Sequence, residues 1–385
     1  MKIFLLAGEA SGDKLGAALM AGLLKHMPNA PEFYGVGGPL MEQAGLKTLF
    51  PMSDISLMGI SEILSKYRFL KRRISETADA VIEGRADVLI TIDLPEFSLR
   101  LAKAVRRIKQ VPSVHYVAPT VWAWRPGRAR KMSPFVDHVL ALFPFEPHYM
   151  QAAGMSCDFV GHPVVNDPCA TRDEAQRFRA ETGIYDAPMI LCLPGSRGSE
   201  IKRLAPVFGK VVEKLHAARP NLRFVLPMAA SVVTLVKDQI ANWPVKPILI
   251  EPRSDAQAHS QKRAAFQAAD VALAASGTVS LELAATLTPM VIAYDMGFLS
   301  RQIIGRMLKV ETVSLVNLIT ESKSIPEFIA ENCREELITP SVLTVLDDPM
   351  GQIQAMQSTM QALGQNGHPP GERAAQSVIK FLAAQ

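Results

Sequence analysis

Short apolar runs alternate along this chain with longer amphipathic stretches, the pattern of an α/β protein with parallel sheets. The first run, Ile3–Ala7, ends in a loop of Gly, Ser and charge, Gly8–Asp13, and then a helical pattern begins. The same order returns at Met189–Leu193, followed by the loop Pro194–Glu200. Further strands are predicted at Phe33–Val36, Val88–Ile92, Ser113–Val117, His138–Ala141 and Asp158–Phe159. In the second half they are predicted at Arg223–Pro227, Pro247–Ile250, Val271–Ala274 and Met290–Ala293. Two beginnings predict two facing Rossmann-like domains with an interdomain cleft at the carboxyl ends of their strands. The expected boundaries are 1–168 and 169–364, with Ala170–Thr182 a polar linker entering a helix. Residues 365–385 form a last segment. Its turn-rich start, Gln365–Gly371, leads to an amphipathic stretch, Ala374–Leu382, expected to pack on the first domain or on a partner subunit.

A length of 385 residues suits two domains, each with its own core. The net charge of +4 favours an anionic substrate or an anionic membrane surface and does not argue for nucleic acid. Cys157, Cys169, Cys192 and Cys333 make no C-x-x-C pair, which points away from zinc and disulfides and towards a reducing cytoplasm. The N-terminal apolar run meets Glu9 too soon for an export signal. Between Val271 and Tyr294 the only charge is Glu282, but Ser276, Gly277, Thr278 and Pro289 interrupt the run. A strand, loop, helix and strand are expected there rather than a membrane span.

The loops after the strands carry the candidate chemistry. Gly8–Asp13 suits a sugar better than a phosphate, because Glu9 and Asp13 repel an anion; alternatively Ser11 and Asp13 cap the following helix. Gly35–Gly38 fails the G-x-G-x-x-G dinucleotide pattern at Leu40 and reads as a turn. In Leu193–Glu200, Ser196 and the forked donors of Arg197 suit a diphosphate. In Ala275–Glu282, Ser276, Gly277 and Thr278 stand at a helix start, where free N–H groups attract a pyrophosphate. Glu282, one turn on, is placed to accept from a ribose. Asp93 follows a predicted strand and is the candidate general base, with His115 and His162 as alternatives. Trp122 and Trp124, one position apart, suit a cleft wall against a sugar or acyl chain. The stretch Ile55–Ile74 combines Leu57, Met58 and Ile60 with Lys66, Arg68 and Arg72. It is either a helix lying on an anionic membrane or acyl chain, or an ordinary packed helix with a solvated basic face.

Taken together, the chain resembles the lipid-A-disaccharide synthases. The matching strings are AGEASGD at Ala7–Asp13, VWAWR at Val121–Arg125, FPFE at Phe143–Glu146, VGHP at Val160–Pro163, LPGSR at Leu193–Arg197, and ASGT with LE at Ala275–Glu282. The resemblance implies a GT-B fold and an inverting transfer. UDP-2,3-diacylglucosamine would give its sugar to 2,3-diacylglucosamine 1-phosphate (lipid X), forming a β-1,6 disaccharide and UDP. It implies Asp93 as base, Arg197, Ser196, Ser276, Gly277, Thr278, Glu282 and Asn317 on the UDP, and Glu9, Ser11, Asp13, Trp122 and Trp124 on the acceptor side. With lipids as substrates, Leu57, Met58, Ile60, Lys66, Arg68 and Arg72 are expected to meet a membrane or acyl chains. No cofactor or metal is expected, and the protein is expected to lie on the cytoplasmic face of the inner membrane as a monomer or homodimer.

The chain departs from the family pattern at Glu96 and Ser98, where Asp and Asn are usual, at Ala118 and Thr120, and at Val316, where Pro is usual. Two rival readings remain open: another UDP-sugar enzyme of the same fold (an epimerase or N-acetylglucosaminyltransferase), or a sugar-nucleotide sensor without turnover.

Overall fold

The computed structural model describes residues 1–56, 67–122, 127–252, 256–296 and 312–385. The chain divides into two compact units, Met1–Asn166 with Leu363–Gln385, and Asp167–Ala362. The last segment therefore belongs to the first unit.

Among the described residues the first unit holds a seven-stranded sheet. Its strands are β1 Lys2–Ala7, β2 Glu32–Val36, β3 Lys47–Thr48, β4 Val88–Ile92, β5 Ser113–Tyr116, β6 His138–Ala141 and β7 Ser156–Phe159. They lie in the order β3-β2-β1-β4-β5-β6-β7, every neighbouring pair parallel. All five residues of β4 are buried, and so are Ile3 to Ala7 of β1. Such unbroken apolar strands are what a parallel sheet covered on both faces requires.

The second unit repeats the plan with β8 Met189–Leu193, β9 Arg223–Pro227, β10 Ile248–Ile250, β11 Val271–Ala275, β12 Met290–Tyr294 and β13 Glu327–Ile329. Their order is β10-β9-β8-β11-β12-β13, again parallel throughout. Each unit has its own core, around Phe4, Leu89 and Val139 in the first and around Ile190, Phe208 and Leu273 in the second. In both sheets the chain order reverses beside the unit's first strand, between β1 and β4 and between β8 and β11. These are the switch points at which α/β sheets open a crevice for ligands.

The two parallel sheets are as the apolar pattern predicts. β3 and β13 escape that pattern because Lys47–Thr48 has no apolar residue and Glu327–Ile329 only two. The polar stretch after Cys169 becomes the helix Arg172–Glu181, started by a capping box between Thr171 and Glu174. Val271–Tyr294 folds as strand, turn, the helix Val279–Ala285 and strand. No helix among the described residues is long and apolar enough to cross a membrane.

The C-terminal helix Pro370–Ala383 packs on the helix Ala10–His26. The contact is backbone to backbone, since a Cβ on Gly22 would sit 2.7 Å from the carbonyl oxygen of Gly371. Ser377 Oγ donates to Asp158 Oδ2 at 2.7 Å, and the Phe381 ring stacks on His138 at 5.0 Å.

Candidate functional site

At the first switch point the chain leaves β4 through two residues in left-handed backbone, Asp93 at φ 51° and Leu94 at φ 46°. Each such residue costs roughly 1–3 kcal/mol and persists only where its surroundings hold it. The Asp93 N–H donates to the Tyr116 carbonyl at 2.8 Å, and Ser98 Oγ donates to the Asp93 carbonyl at 2.7 Å. The N–H groups of Phe97 and Ser98 both close on the Leu94 carbonyl as the helix Pro95–Ile108 begins. Ser98 is fully buried, so this departure from the family pattern anchors the elbow and does not face a ligand. Burial pushes the Asp93 carboxyl above its usual pKa, and a hydrogen bond from the Leu94 backbone offsets this in part. The neighbouring strand also ends in strain, with Val117 at φ 80°. The predicted strand thus stops one residue early.

The loop after β1 presses against this elbow. A Cβ on Gly8 would lie 2.3 Å from Leu94 Cδ2, so any side chain there would displace the Leu94 side chain. Glu9 is half-buried and forms the N-cap of the helix Ala10–His26 without a side-chain cap bond, and Ser11 is exposed. Neither Ser11 nor Asp13 caps the helix. Asp13, expected on the acceptor side, is turned inward: it is buried, and its carboxylate accepts the backbone N–H groups of Gly38, Leu40 and Met41 at 2.9–3.0 Å. That carboxylate holds the Gly35–Gly38 turn and the start of the helix Pro39–Gln43.

His115 is sealed in the core, with Nδ1 2.8 Å from Thr91 Oγ1 and no partner for Nε2 among the described residues. Burial, with a smaller push from Arg128, lowers its pKa to about 4. Fully buried, it is held in the neutral form. His162 Nδ1 accepts the Val164 N–H, and its ring stacks on Phe143. Trp122 meets Phe143 and Phe145 edge-on, at 6.5 and 5.3 Å between centroids, and donates to Glu146. Glu146 is buried and accepts the N–H groups of Leu142 and Phe143 at 3.0 Å. Burial raises its pKa to about 7, against the Phe143, Trp122 and Leu142 hydrogen bonds that lower it. Half-buried Trp122 therefore leads an aromatic cluster. Trp124 lies outside the described residues, as do Leu57, Met58, Ile60 and Lys66. Arg68 and Arg72 are exposed on the helix Tyr67–Glu83; Arg72 pairs with Glu76 at 3.3 Å and stands over the Phe69 ring.

At the second switch point a cavity of about 750 Å³ opens at the carboxyl ends of β8 to β11. Gly195, Ser196 and Arg197 form one wall, Ser276, Gly277 and Thr278 another, with Glu282 beside them. Gly277 takes φ 153°, and an added Cβ there would meet nothing within 4 Å, so its need for glycine is conformational. The Ser196–Arg197 loop is already partly engaged. Glu200 Oε2 accepts the N–H groups of both residues at 3.0 and 3.2 Å, and Arg197 Nη1 lies 3.3 Å from Glu200 Oε1. The Arg197 side chain is nonetheless 79% exposed and free to swing onto an anion.

Asn317 is not among the cavity's groups. It is buried; its Nδ2 donates to the Ile325 carbonyl and Glu327, and its Oδ1 accepts the Ile325 N–H at 2.8 Å. It braces the approach to β13. The sequence reading missed Glu200, Lys262, Phe266 and the residues after β9 and β10, Met228 and Glu251, which also line the cavity. The last two follow strands of the sheet, and that position was the available signal. Nothing in the local spacing marks Lys262.

The comparisons with known proteins agree with this layout. A family model described as Lipid-A-disaccharide synthetase matches residues 3–380. A lipid-A-disaccharide synthase of Ruegeria pomeroyi is 54% identical over 384 residues, covering 99% of this chain and 96% of the relative. One of Rhodospirillum centenum is 43% identical over 385 residues, covering 99% and 94%. Among solved structures, the UDP-GlcNAc 2-epimerase of Neisseria meningitidis bound to UDP-GlcNAc superposes with a TM-score of 0.67 at 12% identity, covering all of both chains. MnaA of S. aureus with UDP gives 0.63 at 15% identity, covering 99% of this chain and 95% of that one. At such identities these structures share the fold alone.

Proposed function

The chain belongs to the lipid-A-disaccharide synthase family, the glycosyltransferases of lipid A biosynthesis, and on that premise we propose that it moves 2,3-diacylglucosamine from UDP to the 6-hydroxyl of lipid X with inversion. The observation that carries this reading is the strained elbow at Asp93, whose half-buried carboxyl is held above its usual pKa by desolvation. A group held at the carboxyl end of a parallel strand, at a switch point, is placed to take a proton from a bound hydroxyl. Its raised pKa makes it a stronger base than an exposed aspartate.

The departing UDP would lie in the cavity of the second unit. The N–H groups at Gly277 and Thr278, with the Arg197 guanidinium, would stabilise the diphosphate as negative charge grows on it. Glu282 would accept from the ribose. On the first unit, Glu9, Ser11 and the Trp122 cluster are the proposed acceptor side. Arg68 and Arg72, with Tyr67 exposed beside them, would favour an anionic membrane surface. On this reading the enzyme works as a peripheral protein on the cytoplasmic face of the inner membrane.

The test is to incubate the protein, in EDTA, with UDP-2,3-diacylglucosamine and lipid X and to read the products by mass spectrometry. A disaccharide 1-phosphate and UDP are expected. Unchanged lipids with UDP still bound would remove this substrate pair and favour a sensor or another UDP-sugar enzyme.

A further inference from the structure

Three carboxylates line the second unit's cavity, Glu200, Glu251 and Glu282. A diphosphate entering it would be repelled by each unless a cation stood beside it. Each has one: Arg197 for Glu200, Lys237 for Glu251 and Lys262 for Glu282. In the third pair the cation also rests on an aromatic ring. Lys262 Nζ lies 2.7 Å from Glu282 Oε2, and no other described residue bonds Oε1. Lys262 itself is seated, because its ammonium lies 5.1 Å from the centroid of the Phe266 ring, one turn along the same helix, Ala256–Ala268. Phe266 is buried, so it gives the long side chain a fixed rest.

We propose that Lys262 is a positioning residue that holds Glu282 for a hydroxyl of the donor's ribose, a role that rests on the donor site proposed above. Lys262 takes one carboxylate oxygen and leaves the other for the ligand. It also cancels a negative charge that would otherwise face the diphosphate and turn the half-exposed Glu282 out to solvent. A pair this exposed adds little to the stability of the fold, so its effect belongs to ligand selection.

The test is calorimetric titration of UDP, 2′-deoxy-UDP and 3′-deoxy-UDP into the full chain and its Lys262→Met, Lys262→Arg and Glu282→Gln variants. The wild type is expected to prefer UDP over one deoxy analogue by about tenfold, the scale of a hydrogen bond to a charged group. Lys262→Met and Glu282→Gln are each expected to erase that preference, while Lys262→Arg keeps it and the melting temperatures stay level. Weakening of all three nucleotides by one factor in Lys262→Met, with the preference for UDP kept, would reduce Lys262 to a charge beside the diphosphate and overturn its positioning role. An unchanged preference would overturn it as well. A wild type that binds UDP without preference removes the ribose role of Glu282 and the proposal with it. A wild type that binds none of the three overturns the donor site itself.

Discussion

The carboxylate of Asp13 accepts the backbone N–H of Gly38 at 2.9 Å, tying the first turn of one helix to the cap of another. With the Leu40 and Met41 N–H groups on the same side chain, Asp13 satisfies three backbone donors, two of them in buried bonds. Asp13→Asn keeps the shape but turns a donor towards one of them. It is expected to cost about 2 kcal/mol in urea denaturation and to leave the KM for lipid X unchanged. A raised KM with full stability would return Asp13 to the acceptor side.

The elbow at Asp93 sets the pH dependence of transfer. A base works ionised, and burial holds this carboxyl above its ordinary pKa. The acid limb of kcat/KM is therefore expected above the range of an exposed aspartate. Asp93→Asn is expected to lower kcat by about two to four orders of magnitude while UDP affinity holds. An acid limb at the usual aspartate value, or near-normal turnover by the variant, would take the base role from Asp93.

Glu146 makes the fold itself sensitive to pH. Its folded pKa of about 7 lies above the 4.5 of a free glutamate, so the folded chain holds this proton more tightly than the unfolded chain. That stabilisation is complete below about 4.5 and fades as pH rises through about 7, by about 3 kcal/mol in all. Glu146→Gln cannot titrate. Denaturation curves from pH 5 to pH 8 are expected to show the wild type losing ground to the variant; parallel curves would mean that Glu146 is ionised throughout.

Gly22 is expected to tolerate no side chain, because the backbone of Gly371 stands where its Cβ would go. Gly22→Leu should lower stability by about 3 kcal/mol and expose the C-terminal helix to limited proteolysis. Full protection of that helix would contradict the packing.

What the sequence determined by itself was the succession of elements and the address of the chemistry. Apolar run length and Gly and Pro punctuation are local signals. They marked β1, β4, β8 and β11 and the loops at Gly8, Asp93, Gly195 and Ser276 with little error. The tertiary structure alone decided which polar groups in those loops remain for a ligand. Asp13, Asn317 and the N–H groups of Ser196 and Arg197 looked equally available in the sequence, yet they are engaged by partners within the protein. Lys262 showed no signal until folding set it 2.7 Å from Glu282, 20 positions away. The physical reason is that a hydrogen bond is made across space, and strand order and helix packing, not spacing along the chain, decide which groups come within its reach.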